Sequence, residues 1–223
     1  LLVTAFVIRS QRHKAPLFDL GLFKLKTFSV GMIGTVFFMV AFFSWLISLP
    51  TFIQSVWGWS VLKTGFAIAP APLLTAFVSP PAGRLAERIG NGPILTIGGL
   101  LGTTGLTLHL IFTNTQPNYF MGIFIPGVLI GFAAGFGFAQ LIGAAMRDVP
   151  RDQFGMAGAG RTTIFQLALA LGVALAFTII GRPDSPQAAL DGLQTTWILG
   201  ICCYVAQTLL FAFFGGADKT LKS

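Results

Sequence analysis

Five stretches of the 223-residue chain carry no Asp, Glu, Lys or Arg: residues 27–62, 64–83, 89–146, 162–181 and 192–217. About 20 helical residues at roughly 1.5 Å rise cross the roughly 30 Å hydrocarbon layer, so each stretch can span a bilayer. The third stretch is long enough for two helices. It is interrupted by Thr113-Asn114-Thr115-Gln116-Pro117-Asn118, a polar turn whose proline breaks a continuous helix. Dividing the stretches at Pro, Gly and polar clusters predicts six spans, at about 28–52, 65–82, 94–112, 119–146, 159–180 and 197–214.

The opening residues Leu1 to Ile8 are apolar but too short to span, and they have neither an initiating Met nor a basic n-region with a cleavage site. They read as the tail of a helix that begins upstream, which makes the sequence a fragment. The expected organisation is a helix tail at 1–8, a basic cytoplasmic linker at 9–27, a six-helix bundle at 28–215 and a cytoplasmic tail at 216–223. The fold class is an all-α membrane protein.

Composition supports the lipid setting. Hydrophobic residues are 54% of the chain and charged residues 9%, against roughly 25% charged in soluble domains. The net charge of +7 does not point to nucleic acid, because the basic residues stand between apolar runs rather than along one face. It points to topology. Of 14 Lys and Arg, alternate loops collect twelve on one side (Arg9, Arg12, Lys14, Lys24, Lys26, Arg84, Arg88, Arg147, Arg151, Arg161, Lys219 and Lys222) and leave Lys63 and Arg182 on the other. The basic side is expected in the cytoplasm, together with the C-terminus. Cys202 and Cys203, adjacent in an apolar run, read as lipid-embedded thiols.

Six spans of alternating direction divide into three plus three, and a three-helix unit beside its copy is inverted. Small residues recur at four-residue spacing: Gly98/Gly102, Gly127/Gly131/Gly135 and Ala168/Gly172/Ala176. Such rows let helix backbones approach closely, either as fixed packing or as a surface that slides during conformational change.

The segment after the second span runs Pro80-Pro81-Ala82-Gly83-Arg84-Leu85-Ala86-Glu87-Arg88-Ile89-Gly90. It resembles the cytoplasmic Gly-x-Leu-Ala-Asp-Arg-x-Gly loop of the major facilitator superfamily, with Glu87 in place of Asp and Asn91-Gly92 where basic residues often stand. Its glycines are expected to form a tight turn, and Glu87 is expected near a helix N-terminus. Further stretches resemble the fourteen-span drug:proton antiporter family in order and spacing. They are Leu17-Phe18-Asp19-Leu20-Gly21-Leu22-Phe23-Lys24, Pro50-Thr51-Phe52-Ile53-Gln54, Gly58-Trp59-Ser60, Gly65 ahead of Pro70, and Gln166 with Gly172. The resemblance implies the C-terminal half of a major facilitator fold, with the first and fourth complete spans facing a central cavity and the third and sixth at the periphery.

Candidate chemistry is sparse. No acidic residue lies within a span, whereas membrane carboxylates commonly carry protons in transporters; the proton site is therefore expected in the missing N-terminal half. His109, near the outer end of its helix, reads as an interfacial, hydrogen-bonded residue. Trp57 and Trp59 read as interfacial anchors. The first span is dense in aromatics, and aromatic faces bind flat apolar or cationic molecules. Substrate-cavity candidates are Phe38, Phe42, Trp45, Gln54, Gln140 and Gln166, although each glutamine is equally able to bond backbone, water or a neighbouring helix. Gating candidates are Gly83, Arg84, Glu87, Arg88, Gly90 and Arg147, with an ion pair expected between Glu87 and Arg147.

His13 and His109 lack the companions that a metal site or nucleophilic triad requires, so no enzyme, cofactor or metal is expected. The expected partners are the bilayer, the N-terminal half, protons and a small molecule. The expected function is proton-coupled export across a bacterial cytoplasmic membrane, with a proton-coupled nutrient uptake porter as the alternative.

Overall fold

The computed structural model describes residues 20–214. The proposed helix tail at 1–8, most of the 9–27 linker and the 216–223 tail lie outside them. After a 3-10 turn at Leu20–Lys24 come six helices long and apolar enough to cross a membrane. They are α1 (Lys26–Ser55), α2 (Val61–Ile89), α3 (Asn91–Phe112), α4 (Phe120–Met146), α5 (Arg151–Ile180) and α6 (Pro186–Phe214).

Several helices outrun the uncharged stretches, for local reasons. α6 begins about three turns before the expected start at 197. Pro186 suits a first helical position, the Ser185 hydroxyl accepts from the Ala188 N–H at 3.1 Å, and Gln187 bonds Asp191 one turn on at 3.0 Å. These polar contacts support a helix start that a rule based on charge-free length passes over. α2 begins at Val61, where the Ser60 side chain accepts from the Lys63 N–H. Lys63 sits in the first turn with its ammonium 3.8 Å from the Trp59 ring centre.

The segment expected to be a loop from Pro80 to Gly90 is helical as far as Ile89. The Gly90 N–H closes the last turn on the Ala86 carbonyl at 2.8 Å, and the chain turns at Gly90 alone, where φ is 88°. Gly83 is an ordinary helical residue with open space around it. Glu87 therefore stands in the last turn of α2, three residues before Gly90, which also caps the start of α3.

The packing repeats itself. α1 packs on α5 and α6 as α4 packs on α2 and α3; α2 touches α3 as α5 touches α6; and α1–α4 and α3–α6 form the central contacts. Exchanging α1, α2 and α3 with α4, α5 and α6 maps this pattern onto itself, as a three-plus-three repeat requires. Direction alternates too. Lys26, Asn91, Arg147 and Phe214 meet at one end. At the other, Trp57 Nε1–H donates to the Asn114 carbonyl at 2.9 Å and the Tyr119 hydroxyl to the Ala67 carbonyl at 3.4 Å.

Small residues seat the helices. A methyl group on Gly131 would lie 2.6 Å from the Ala71 carbonyl of α2, and one on Gly172 would lie 3.0 Å from the Val40 backbone of α1. The Thr75 hydroxyl adds a bond from α2 to the Gly131 carbonyl at 3.0 Å. α1 and α4 are the most enclosed of the six spans, and α2 and α5 the least.

Candidate substrate cavity and gating segment

Between α1, α2 and α4 lies an apolar cavity of about 250 Å³, lined by Phe42, Trp45, Leu46, Ala71, Pro72, Thr75 and Phe138. Phe42 and Trp45 lie about one helical turn apart on α1, which puts them on one face. Phe138 of α4 meets the Phe42 ring edge-on at 5.3 Å. Phe38, one turn before Phe42, is fully buried: it stacks on Phe42 at 5.9 Å and meets Phe138 at 5.0 Å and Tyr204 at 6.1 Å. Its ring surface is taken up by helix packing behind the wall.

The glutamines separate. Gln54 is exposed at the far end of α1 and donates to the Pro50 carbonyl of its own helix at 3.3 Å. Gln166 is exposed on α5. Gln140 is 4% exposed, and its Nε2 has no hydrogen-bond partner. The cavity thus brings together Phe42 and Trp45 with Phe38 behind them, and leaves Gln54 and Gln166 apart. Phe138, Pro72 and Thr75 join it unforeseen. Phe138 alternates with glycines in Gly135-Phe136-Gly137-Phe138, and that pattern is the one available signal.

Trp45 is fixed from behind by a defect in α4. In a regular helix the Gly122 carbonyl accepts from residue 126, but Pro126 has no N–H to donate. Residues Phe120–Phe124 adopt a π-helix, with the Ile125 N–H bonded to the Phe120 carbonyl. The Gly122 carbonyl turns to α3 and its end, accepting from His109 Nδ1 at 2.8 Å and from the Thr113 hydroxyl at 2.9 Å. That bond puts the imidazole proton on Nδ1 and leaves Nε2 to accept from Trp45 Nε1–H, at 3.1 Å. Trp197 of α6 stacks on the imidazole at 4.9 Å.

His109 is fully buried. It is hydrogen-bonded as expected, in the last turn of α3, and is enclosed there by α1, α4 and α6. Trp57, beyond the end of α1, is enclosed too: it is 8% exposed, with its N–H committed to the Asn114 carbonyl.

Of the gating candidates, Arg84, Glu87 and Arg88 are exposed and Gly83 and Gly90 partly so. The single ion pair among the described residues joins Arg147 Nε to Asp148 Oδ1 at 3.9 Å. The expected Glu87–Arg147 pair is not formed in this conformation.

The profile described as Major Facilitator Superfamily matches residues 4–173. The "Uncharacterized MFS-type transporter YhcA" of Bacillus subtilis is 25% identical over 183 residues, 79% of this chain and 33% of the relative. The "Probable multidrug resistance protein EmrY" of Escherichia coli is 24% identical over 182 residues, 81% of this chain and 35% of the relative. The "Riboflavin transporter RibZ" of Clostridioides difficile is 25% identical over 237 residues, 99% of this chain and 51% of the relative. The chain therefore spans a third to a half of the length of these bacterial relatives. The profile covers most of the chain and the helices pack as two related triplets, so this multi-pass membrane protein belongs to the Major Facilitator Superfamily.

Proposed function

We propose that the chain is the C-terminal half of a proton-coupled exporter of flat, amphipathic small molecules, working by alternating access in a bacterial cytoplasmic membrane. The observation that carries this reading is the aromatic-walled cavity of Phe42, Trp45 and Phe138. Ring faces of that kind hold planar apolar or cationic groups, each by roughly 0.5–2 kcal/mol. Two relatives bear names that suit such cargo, a probable multidrug resistance protein and a riboflavin transporter.

In this reading Phe42, Trp45 and Phe138 touch substrate and Phe38 supports them, while Gln140 lies buried outside the cavity lining. Gln54 and Gln166 lie at the margins, Gln166 toward the N-terminal half. The segment Gly83, Arg84, Glu87, Arg88 and Gly90 works with Arg147 as a cytoplasmic gate, and the Glu87–Arg147 pair forms in another state of the cycle. The basic ends and the C-terminus face the cytoplasm. Protons are carried by the N-terminal half, since the six spans hold no carboxylate aligned with the cavity.

Everted vesicles test the proposal. With the full reading frame expressed, acidifying the lumen should drive ethidium accumulation that a protonophore abolishes, and residues 1–223 alone should give none. Accumulation by residues 1–223 alone, or transport only in the opposite direction, would overturn it.

A further inference from the structure

Two of the residues lining the cavity between α1, α2 and α4 have side chains with a hydrogen-bonding group, Trp45 and Thr75. Both groups are spent away from it. The Trp45 indole N–H donates at 3.1 Å to Nε2 of His109, which stands behind the wall and is itself held by the Gly122 carbonyl. The Thr75 hydroxyl lies in the seam between α2 and α4, 3.0 Å from the Ala71 carbonyl of its own helix and 3.0 Å from the Gly131 carbonyl of α4. Its single proton is divided between two acceptors, and Thr75 meets the cavity with carbon.

The other lining side chains, those of Phe42, Leu46, Ala71, Pro72 and Phe138, are hydrocarbon. Among the described residues the wall therefore presents rings and aliphatic carbon, with its polar hydrogens turned outward to carbonyls and imidazole. A hydroxyl or amine pressed against such a wall gives up its water and gains no partner. An apolar pocket disfavours an added hydroxyl by up to about a hundredfold. Size fits the same cargo. An apolar cavity of about 150 Å³ stays dry and takes a benzene ring, so about 250 Å³ has room for two fused rings. The cavity opens beside Pro72, which is exposed.

We propose that this cavity is a subsite for an unsubstituted fused aromatic ring system, entered ring first, with the charged and hydrogen-bonding groups of the cargo left at the open side by Pro72. His109 is a positioning residue that sets this preference by holding the indole N–H out of the cavity. The assignment rests on the reading of the cavity as the cargo site, and adds which end of the cargo enters and which ring substituents are refused.

The test uses the protein of the full reading frame, purified in detergent, and two ligands measured by equilibrium dialysis: (2-naphthylmethyl)trimethylammonium and its derivative with a hydroxyl on the far ring. The hydroxyl should weaken binding at least tenfold. Thr75→Val should leave that ratio unchanged, because the threonine hydroxyl already lies outside the cavity. Leu46→Asn puts an amide into the wall at nearly the same size and should narrow the ratio at least threefold. His109→Leu, which frees the indole N–H, should narrow it too, whereas a purely structural role for His109 would weaken both ligands alike. Leu46→Asn keeps the test readable if His109→Leu folds poorly. Equal binding of the two ligands, binding of neither, a ratio altered by Thr75→Val, or a ratio untouched by Leu46→Asn or by folded His109→Leu would each overturn the proposal. A tenfold ratio in a protein that drives no proton-dependent ethidium transport would support the subsite and count against the exporter reading instead.

Discussion

Trp45 and His109, 64 residues apart in sequence, are joined by a buried 3.1 Å hydrogen bond in which the indole donates to imidazole Nε2. The bond exists because the other imidazole nitrogen is committed to the Gly122 carbonyl, which Pro126 leaves without a helical donor. A proline in α4 thereby sets the tautomer of a histidine in α3, and that histidine sets the tilt of a tryptophan in the cavity wall of α1.

Replacing His109 by Leu should leave the Trp45 indole N–H without its acceptor in a fully packed site. Unsatisfied buried groups cost about 1–3 kcal/mol each, and the Gly122 carbonyl keeps only the Thr113 hydroxyl. The expected loss is about 2–3 kcal/mol, read as a lower Tm in detergent, with a change in tryptophan emission as the ring is released. An unaltered Tm and spectrum would show that the bond does not hold Trp45.

Pro126→Ala supplies the missing N–H, which competes for the Gly122 carbonyl and draws the π-turn toward regular helix. His109 then loses its anchor, so the His109→Leu and Pro126→Ala effects on Tm should be strongly non-additive. Residues sharing one network typically couple by 0.5–3 kcal/mol. Strict additivity would mean that the two residues act independently.

The six spans were legible because lipid tolerates no scattered charge, so length and the absence of Asp, Glu, Lys and Arg locate them directly. Their ends were not. Ser185, Gln187 and Asp191 are polar, yet through capping and one-turn bonds they begin α6. The helical course of Gly83 through Arg88 was hidden for a related reason: Gly and Pro are punctuation in water, but within a packed membrane bundle a helix can run through them. In the cavity, Phe42 and Trp45 followed from their density on α1. Phe138 did not, because α4 is apolar on every side and no periodicity marks an inner face. The role of His109 needed the neighbourhood of α3 and α4 to be known. Only the vacant carbonyl four residues before Pro126 could have hinted at it.

Gly127 and Gly131 belong to one row of small residues but have different surroundings. A methyl on Gly127 meets nothing within 4 Å, whereas on Gly131 it meets the Ala71 carbonyl at 2.6 Å. Gly131→Ala should force α2 off α4 and cost about 1–3 kcal/mol. Gly127→Ala should be neutral or stabilising by up to about 1 kcal/mol, because alanine is the better helix former. Equal Tm values for the two variants would mean that this row is not where α2 is seated.

Substrate affinity should divide the candidate residues as their placement does. Phe42 and Phe138 line the cavity, so truncating either to Ala removes contact worth roughly 0.5–1.5 kcal/mol with a planar cargo. That corresponds to about a two- to tenfold rise in KM for ethidium efflux by the full reading frame. Phe42→Ala and Phe138→Ala meet at one ring contact, so together they should cost less than the product of their separate effects. Gln54→Ala should leave KM unchanged, because its amide is spent on the Pro50 carbonyl at the end of α1. A Gln54 variant that loses affinity while the phenylalanine variants keep it would move the binding region out of the α1–α2–α4 cavity and toward the outer mouth.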